Sequence, residues 1–152
     1  MTMSFRSRWR NLREKMVKDP LPPESVAAGW ALGVFIGFAI PFGLQLIVSV
    51  PLALMMRVSK VGATIGTFVT NPATIFFIYP AQTWVVYNLL FGSREMGELP
   101  TEWSRKVVMS LSGPVIISFF LGGLALALVL SPITYHVVKR IVIRYRRRKQ
   151  ER

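Results

Sequence analysis

The sequence predicts an all-α integral membrane protein made of broken or re-entrant helical hairpins plus transmembrane helices. Three observations carry that prediction. Charge is absent from Ser25 to Met56, from Val61 to Ser93 and from Val107 to Val138, runs of about 32 residues each. Two of these runs are interrupted by proline beside helix-breaking or capping residues. Basic residues crowd both ends, so that a chain that is 52% hydrophobic still carries a net charge of +12. One spanning helix needs about 20 apolar residues, so each run exceeds one crossing and falls short of two with a turn.

The first element lies before the apolar runs. Residues 1–22 form a basic arm that includes Arg6, Arg8, Arg10 and Arg13, followed by Lys15 and Lys18. Phe5, Trp9, Leu12 and Met16 recur at helical spacing, which predicts an amphipathic helix lying on the membrane surface. A disordered basic arm is the alternative. Asp19, Pro20, Pro22 and Pro23 end that helix and lead into the membrane. The apolar run begins too late and is too long for a signal peptide, so the arm is expected to be retained.

The membrane domain is expected over residues 23–138. In its first run Ser25, Gly29, Gly33, Gly37, Pro41 and Gln45 stand four apart. On a helix this is a stripe of small residues that lets another backbone come close. The stripe breaks at Pro41-Phe42-Gly43, where proline donates no hydrogen bond and glycine permits a turn. The pieces on either side reach only about 20 to 24 Å, less than the hydrocarbon core of about 30 Å. A hairpin entering and leaving on one side follows, with a single kinked helix as the alternative.

The second run repeats the device. Gly62 and Gly66 lie four apart, and Thr70-Asn71-Pro72 ends the segment, with Asn71 suited to capping and Pro72 to opening a helix. Either a second hairpin or one broken span fits. The third run contains Gly122-Gly123 and Ser131-Pro132. Residues 139–152 form a basic tail that includes Arg146, Arg147 and Arg148.

Lysine and arginine stay on the cytoplasmic side. Both ends, and the link bearing Arg57 and Lys60, are therefore expected there, in the bacterial inner membrane. The charge-balanced stretch from Arg94 to Lys106 is the candidate for the far side. The first run then makes no net crossing, the second crosses outward and the third returns.

Chemistry is sparse. No cysteine exists, no Asp, Glu, Lys or Arg lies inside the runs, and the single histidine, His136, sits beside the basic tail. Nothing pairs a nucleophile with a base or spaces ligands for a metal, so no enzyme, metal or cofactor is expected. Uncharged polar residues gather at the breaks: Gln45 and Ser49 after the first, Thr67, Thr70, Asn71 and Thr74 around the second, with Gln82, Thr83 and Asn88 beyond. Gln45, Thr70, Asn71 and Thr74 are the candidate polar or anion site, since helix starts at breaks present free N–H groups. The structural alternative has Asn71 capping its own helix and Gln45 bonding the facing hairpin.

The stretch from Pro23 to Gly92 resembles the bacterial membrane family known as domain of unknown function 2062. The resemblance rests on Pro23, Gly29, Gly33, Gly37, Pro41, Gln45, Arg57, Gly66, Asn71-Pro72-Ala73-Thr74 and Tyr79. That family commonly has Asn shortly after the arginine, where this chain has Val58-Ser59. The resemblance implies a small inner-membrane protein and no particular activity.

Two functions are expected as rivals. The first is binding or translocation of an anionic lipid or amphiphile through the hairpins. Its headgroup contacts would be Arg6, Arg8, Arg10, Arg13, Arg57, Lys60 and Arg146 to Arg148. The second is a non-catalytic assembly module in which the glycine stripe of Gly29, Gly33, Gly37, Gly62 and Gly66 packs copies or a membrane partner. Nucleic-acid binding is not expected, because a juxtamembrane basic cluster ordinarily serves orientation and lipid contact.

Overall fold

The computed structural model describes residues 19–91 and 113–150. These contain five helices and no strand: α1 (Pro23–Ala39), α2 (Gln45–Met55), α3 (Lys60–Thr67), α4 (Pro72–Phe91) and α5 (Gly113–Gln150). The amphipathic arm with Arg6, Arg8, Arg10 and Arg13, and the polar stretch from Arg94 to Lys106, lie outside the described residues.

Helix α1 ends where proline removes a donor. Ile40 N–H still reaches the Ile36 carbonyl at 2.9 Å, but Pro41 has none to give Gly37. A turn follows, closed by Leu44 N–H to the Pro41 carbonyl at 3.3 Å, with Gly43 at φ +101°. Helix α2 ends in a Schellman motif. Val58 N–H bonds the Ala53 carbonyl at 3.0 Å and Arg57 N–H bonds Leu54 at 3.2 Å. The left-handed residue of that motif, ordinarily glycine, is Arg57 at φ +54°.

Neighbouring residues fix the directions. Along α1, Gly29 meets Ser59, Gly33 meets Ala63 and Gly66, and Gly37 meets Thr67, so α3 runs parallel to α1. Helix α2 starts beside Gly37, where the Gln45 amide bonds the Gly37 carbonyl. It returns to the beginning of α1, where Ser59 N–H bonds the Ser25 carbonyl at 3.1 Å. Helix α5 is antiparallel to α1: Gly123 lies on Phe38, Ser131 bonds Ala31, and Arg146 reaches Leu21. Val138 and Val142 join Val26, Ala27 and Trp30 in one core cluster.

The glycines allow these approaches. A β-carbon at Gly66 would stand 2.6 Å from the Trp30 carbonyl oxygen, and one at Gly122 2.7 Å from that of Gln82. With only backbone between them, close packing replaces the hydrophobic drive that lipid cannot supply.

Helix α4 does not fold back along α3. Gln82 is twelve residues beyond Thr70, about 18 Å of helix. A returning helix would bring it near the Glu24–Lys139 end, yet it lies against Gly122 and Gly123. The second run is therefore two helices separated by a break at Phe68–Asn71, the second not folding back along the first as a hairpin would. Among the described residues, only α4 and α5 are long and apolar enough to cross a membrane (Ala73–Phe91 and Gly113–Arg148). Their outer faces are bare hydrocarbon: Phe76, Phe77 and Leu89 are 77%, 78% and 80% exposed. Helix α5 continues unbroken from the third apolar run through Pro132 into the basic tail.

Candidate functional site

The freed carbonyl at Gly37 is the centre of the polar residues that the sequence singles out. Gln45 Nε2 donates to it at 2.9 Å and Thr70 Oγ1 lies 2.8 Å away. The same amide lies 3.0 Å from the Ile40 carbonyl, 2.9 Å from Thr70 Oγ1 and 3.4 Å from Tyr79 Oη. Pro41 thus leaves an acceptor empty, and the Gln45 amide from α2 and the Thr70 hydroxyl from the link between α3 and α4 fill it. Gln45 and Thr70 are buried, and Tyr79 packs edge-on against Phe119, tying the tip to α5. The C-terminal ends of α1 and α3 both point their carbonyls into this cluster, which makes it an environment for hydrogen-bond donors rather than anions.

Asn71 and Thr74 form a separate group. Asn71 Oδ1 accepts from Ala73 N–H at 2.9 Å and from Thr74 N–H at 3.2 Å. Thr74 Oγ1 accepts from Asn71 N–H at 2.9 Å. This is a reciprocal cap on α4, with Thr74 in the place usually held by Glu or Gln. The four residues expected as one site therefore divide into a buried tip pair and a half-buried helix cap.

The glycine stripe faces inward. Gly29, Gly33 and Gly37 lie on α3, and Gly62 and Gly66 lie on Trp30, Gly33 and Val34 of α1.

At the opposite end from the tip, polar contacts join four parts of the chain. Ser59 Oγ bonds the Asp19 carboxyl and accepts from Gly62 N–H at 2.9 Å, capping α3. Arg146 Nη2 donates to the carbonyls of Asp19 at 2.7 Å and Leu21 at 2.8 Å. Lys139 pairs with Glu24 at 3.2 Å on the exposed surface. Arg146 is thus drawn into a structural clamp, while Arg57, Lys60, Arg147 and Arg148 stay exposed around it. This junction was not foreseen. Its only sequence signal is a lone Asp before a proline turn and a Ser in a short link.

Among the described residues, three buried oxygens have no hydrogen-bond partner: Ser49 Oγ, Gln82 Oε1 and Ser118 Oγ. Among the described residues no group of three His, Cys, Asp or Glu side chains is placed to hold a metal. His136, near the tail, bonds only the Pro132 carbonyl one turn before it, at 2.8 Å.

The profile of a bacterial family, described as an uncharacterized protein conserved in bacteria (DUF2062), matches residues 6–151. No curated protein and no solved structure matches the chain.

Proposed function

This chain belongs to that uncharacterized bacterial family, and from this premise and the geometry above we propose that it binds an anionic lipid or amphiphile and passes it along a re-entrant hairpin. In this reading the protein sits in the inner membrane with both ends cytoplasmic. Helices α1 and α2 are the hairpin, and α3–α4 and α5 are the two crossings.

One observation supports the reading above the rest. The hairpin tip lies beside Gly123, and the charged belt lies at Lys139, sixteen residues away on α5. At about 1.5 Å per residue that is about 24 Å, short of the roughly 30 Å hydrocarbon core. The tip is therefore deep in the bilayer without leaving it. Entry and exit of the hairpin share the end where Arg57, Lys60, Lys139, Arg140 and the Arg146 clamp collect. Positive residues there favour the cytoplasmic side and an anionic headgroup. From this end an exposed apolar face (Met55, Leu54, Ile47 and Leu46 of α2) runs toward the tip, where acyl chains fit.

Arg57 supplies the headgroup contact. Arginine in a left-handed conformation costs about 1 kcal/mol more than glycine would. A cation held at such a position against that cost points to work done by its charge. The rival assembly reading loses its surface, because the glycine stripe is already covered by α3.

Fluorescent phosphatidylglycerol in proteoliposomes tests the proposal. The intact protein should accelerate its movement between leaflets, and Arg57→Gly with Lys60→Gln should remove at least about nine-tenths of that acceleration, about 1 kcal/mol of headgroup attraction being lost per charge. Arg57→Gly alone should raise the melting temperature. Flux equal to that of protein-free vesicles, or flux unchanged in the double variant, would refute it.

A further inference from the structure

We infer that the molecule contains a hydrated polar file: internal water sites that run from the Asp19 end through the hairpin core to the seam between α4 and α5. The inference goes beyond lipid binding and does not depend on it.

The buried polar residues are not scattered. Ser59 stands at the base, at the level of Gly29 and bonded to Asp19. Gln45, Thr67 and Thr70 stand at the tip, at the level of Gly37. Gly29 and Gly37 are eight residues apart, about 12 Å of helix. Ser49 is one turn from Gln45 on the same buried face of α2, about 6 Å toward the base, so it lies midway. Beyond the tip, Tyr79 Oη approaches Gln45, and Gln82 follows one turn later against Phe119, next to Ser118.

The oxygens that lack partners fall in the gaps of this file. Ser49 Oγ occupies the interval between base and tip, and it is fully buried. Gln82 Oε1 and Ser118 Oγ occupy the seam beyond, with Gln82 only 5% exposed. The Gln82 amide makes just one long bond, 3.4 Å to the Phe119 carbonyl. A gap of about 6 Å is what one water spans with two hydrogen bonds. Buried polar atoms in apolar surroundings are ordinarily satisfied in this way, by water held among two to four partners. The base of the file opens at the half-buried Asp19 carboxyl, whose own backbone carbonyl accepts from Arg146. Solvent can enter there, and the hairpin core would then be wet on its inner face and greasy on its outer face.

Water-to-protein magnetisation transfer in solid-state NMR reads this directly, with the full chain in bilayers of zwitterionic lipid only. The side-chain amides of Gln45 and Gln82 should gain signal from water at least about fivefold faster than the lipid-facing backbone amides of Phe76 and Phe77. Ser49→Ala should slow the gain at Gln45 at least about twofold while leaving that at Gln82 unchanged, because it removes one water anchor. Transfer to both amides as slow as at Phe76 and Phe77 would overturn the inference. So would a Gln45 signal indifferent to Ser49→Ala. Neither result bears on lipid movement, and failed lipid movement would leave these signals intact.

Discussion

At the scale of single residues, the fold depends on what glycine omits and what proline frees. A β-carbon on Gly33 would meet the Ala63 carbonyl and the Gly66 Cα, both backbone, and neither helix can give way alone. Overpacking of this kind costs about 1–3 kcal/mol. Gly33→Ala should therefore lower the melting temperature in mild detergent, whereas Gly113→Ala should not, since nothing lies within 4 Å of its position. Equal melting of the two variants would contradict the close approach of α1 and α3. Proline acts in the opposite sense. Pro41 exposes the Gly37 carbonyl, and Gln45 with Thr70 answers it. Gln45→Leu should cost about 1–3 kcal/mol, because the Ile40 carbonyl loses its side-chain donor and the Gly37 carbonyl keeps only Thr70, and Gln45→Glu should restore only part of it, because its buried carboxyl must stay protonated and then offers a single donor. Thermal unfolding of both variants checks this.

At the scale of elements, the breaks were legible in sequence and their partners were not. Proline beside Gly43, and Asn71 before Pro72, announce the end of one helix and the start of another through local chemistry alone. The spacing of four announces a packing stripe, but period says nothing about which backbone it will meet. That partner proved to be α3, whose own Gly62 and Gly66 interlock with Trp30 and Gly33. Closeness along the chain hid the division of the polar residues. Thr70 and Asn71 are adjacent, yet Thr70 turns inward to Gln45 and Asn71 turns to its own helix. The cap has a separable energy. Asn71→Ala should lower stability by about 1 kcal/mol and fray the first turn of α4, visible as faster hydrogen exchange at Ala73 and Thr74. The tip pair should be indifferent to it. Loss of protection at Gln45 in the same variant would show that the two groups are one.

At the scale of the molecule, charge patterning located both ends of the apolar runs, while the clamp that holds those ends together was invisible. Asp19, Ser59 and Arg146 are separated by up to 127 residues, and no local signal links them. The clamp gathers the start of α1, the end of α2, the start of α3 and the tail half of α5 at one end, so that the short α1–α2 pair is held beside the longer α4 and α5. Everything proposed for lipid movement depends on that hairpin turning back inside the bilayer. The chain has no cysteine, so single cysteines can be placed on an empty background and probed with a membrane-impermeant thiol reagent. Three positions decide the matter: Phe42→Cys at the tip, Val58→Cys in the basic link and Met96→Cys in the polar stretch. In intact cells Met96→Cys should react and the other two should not. In inverted vesicles Val58→Cys should react, while Phe42→Cys should stay silent on both sides. Reaction of Phe42→Cys from the outside would mean that the chain crosses at Pro41, and the re-entrant account would be wrong.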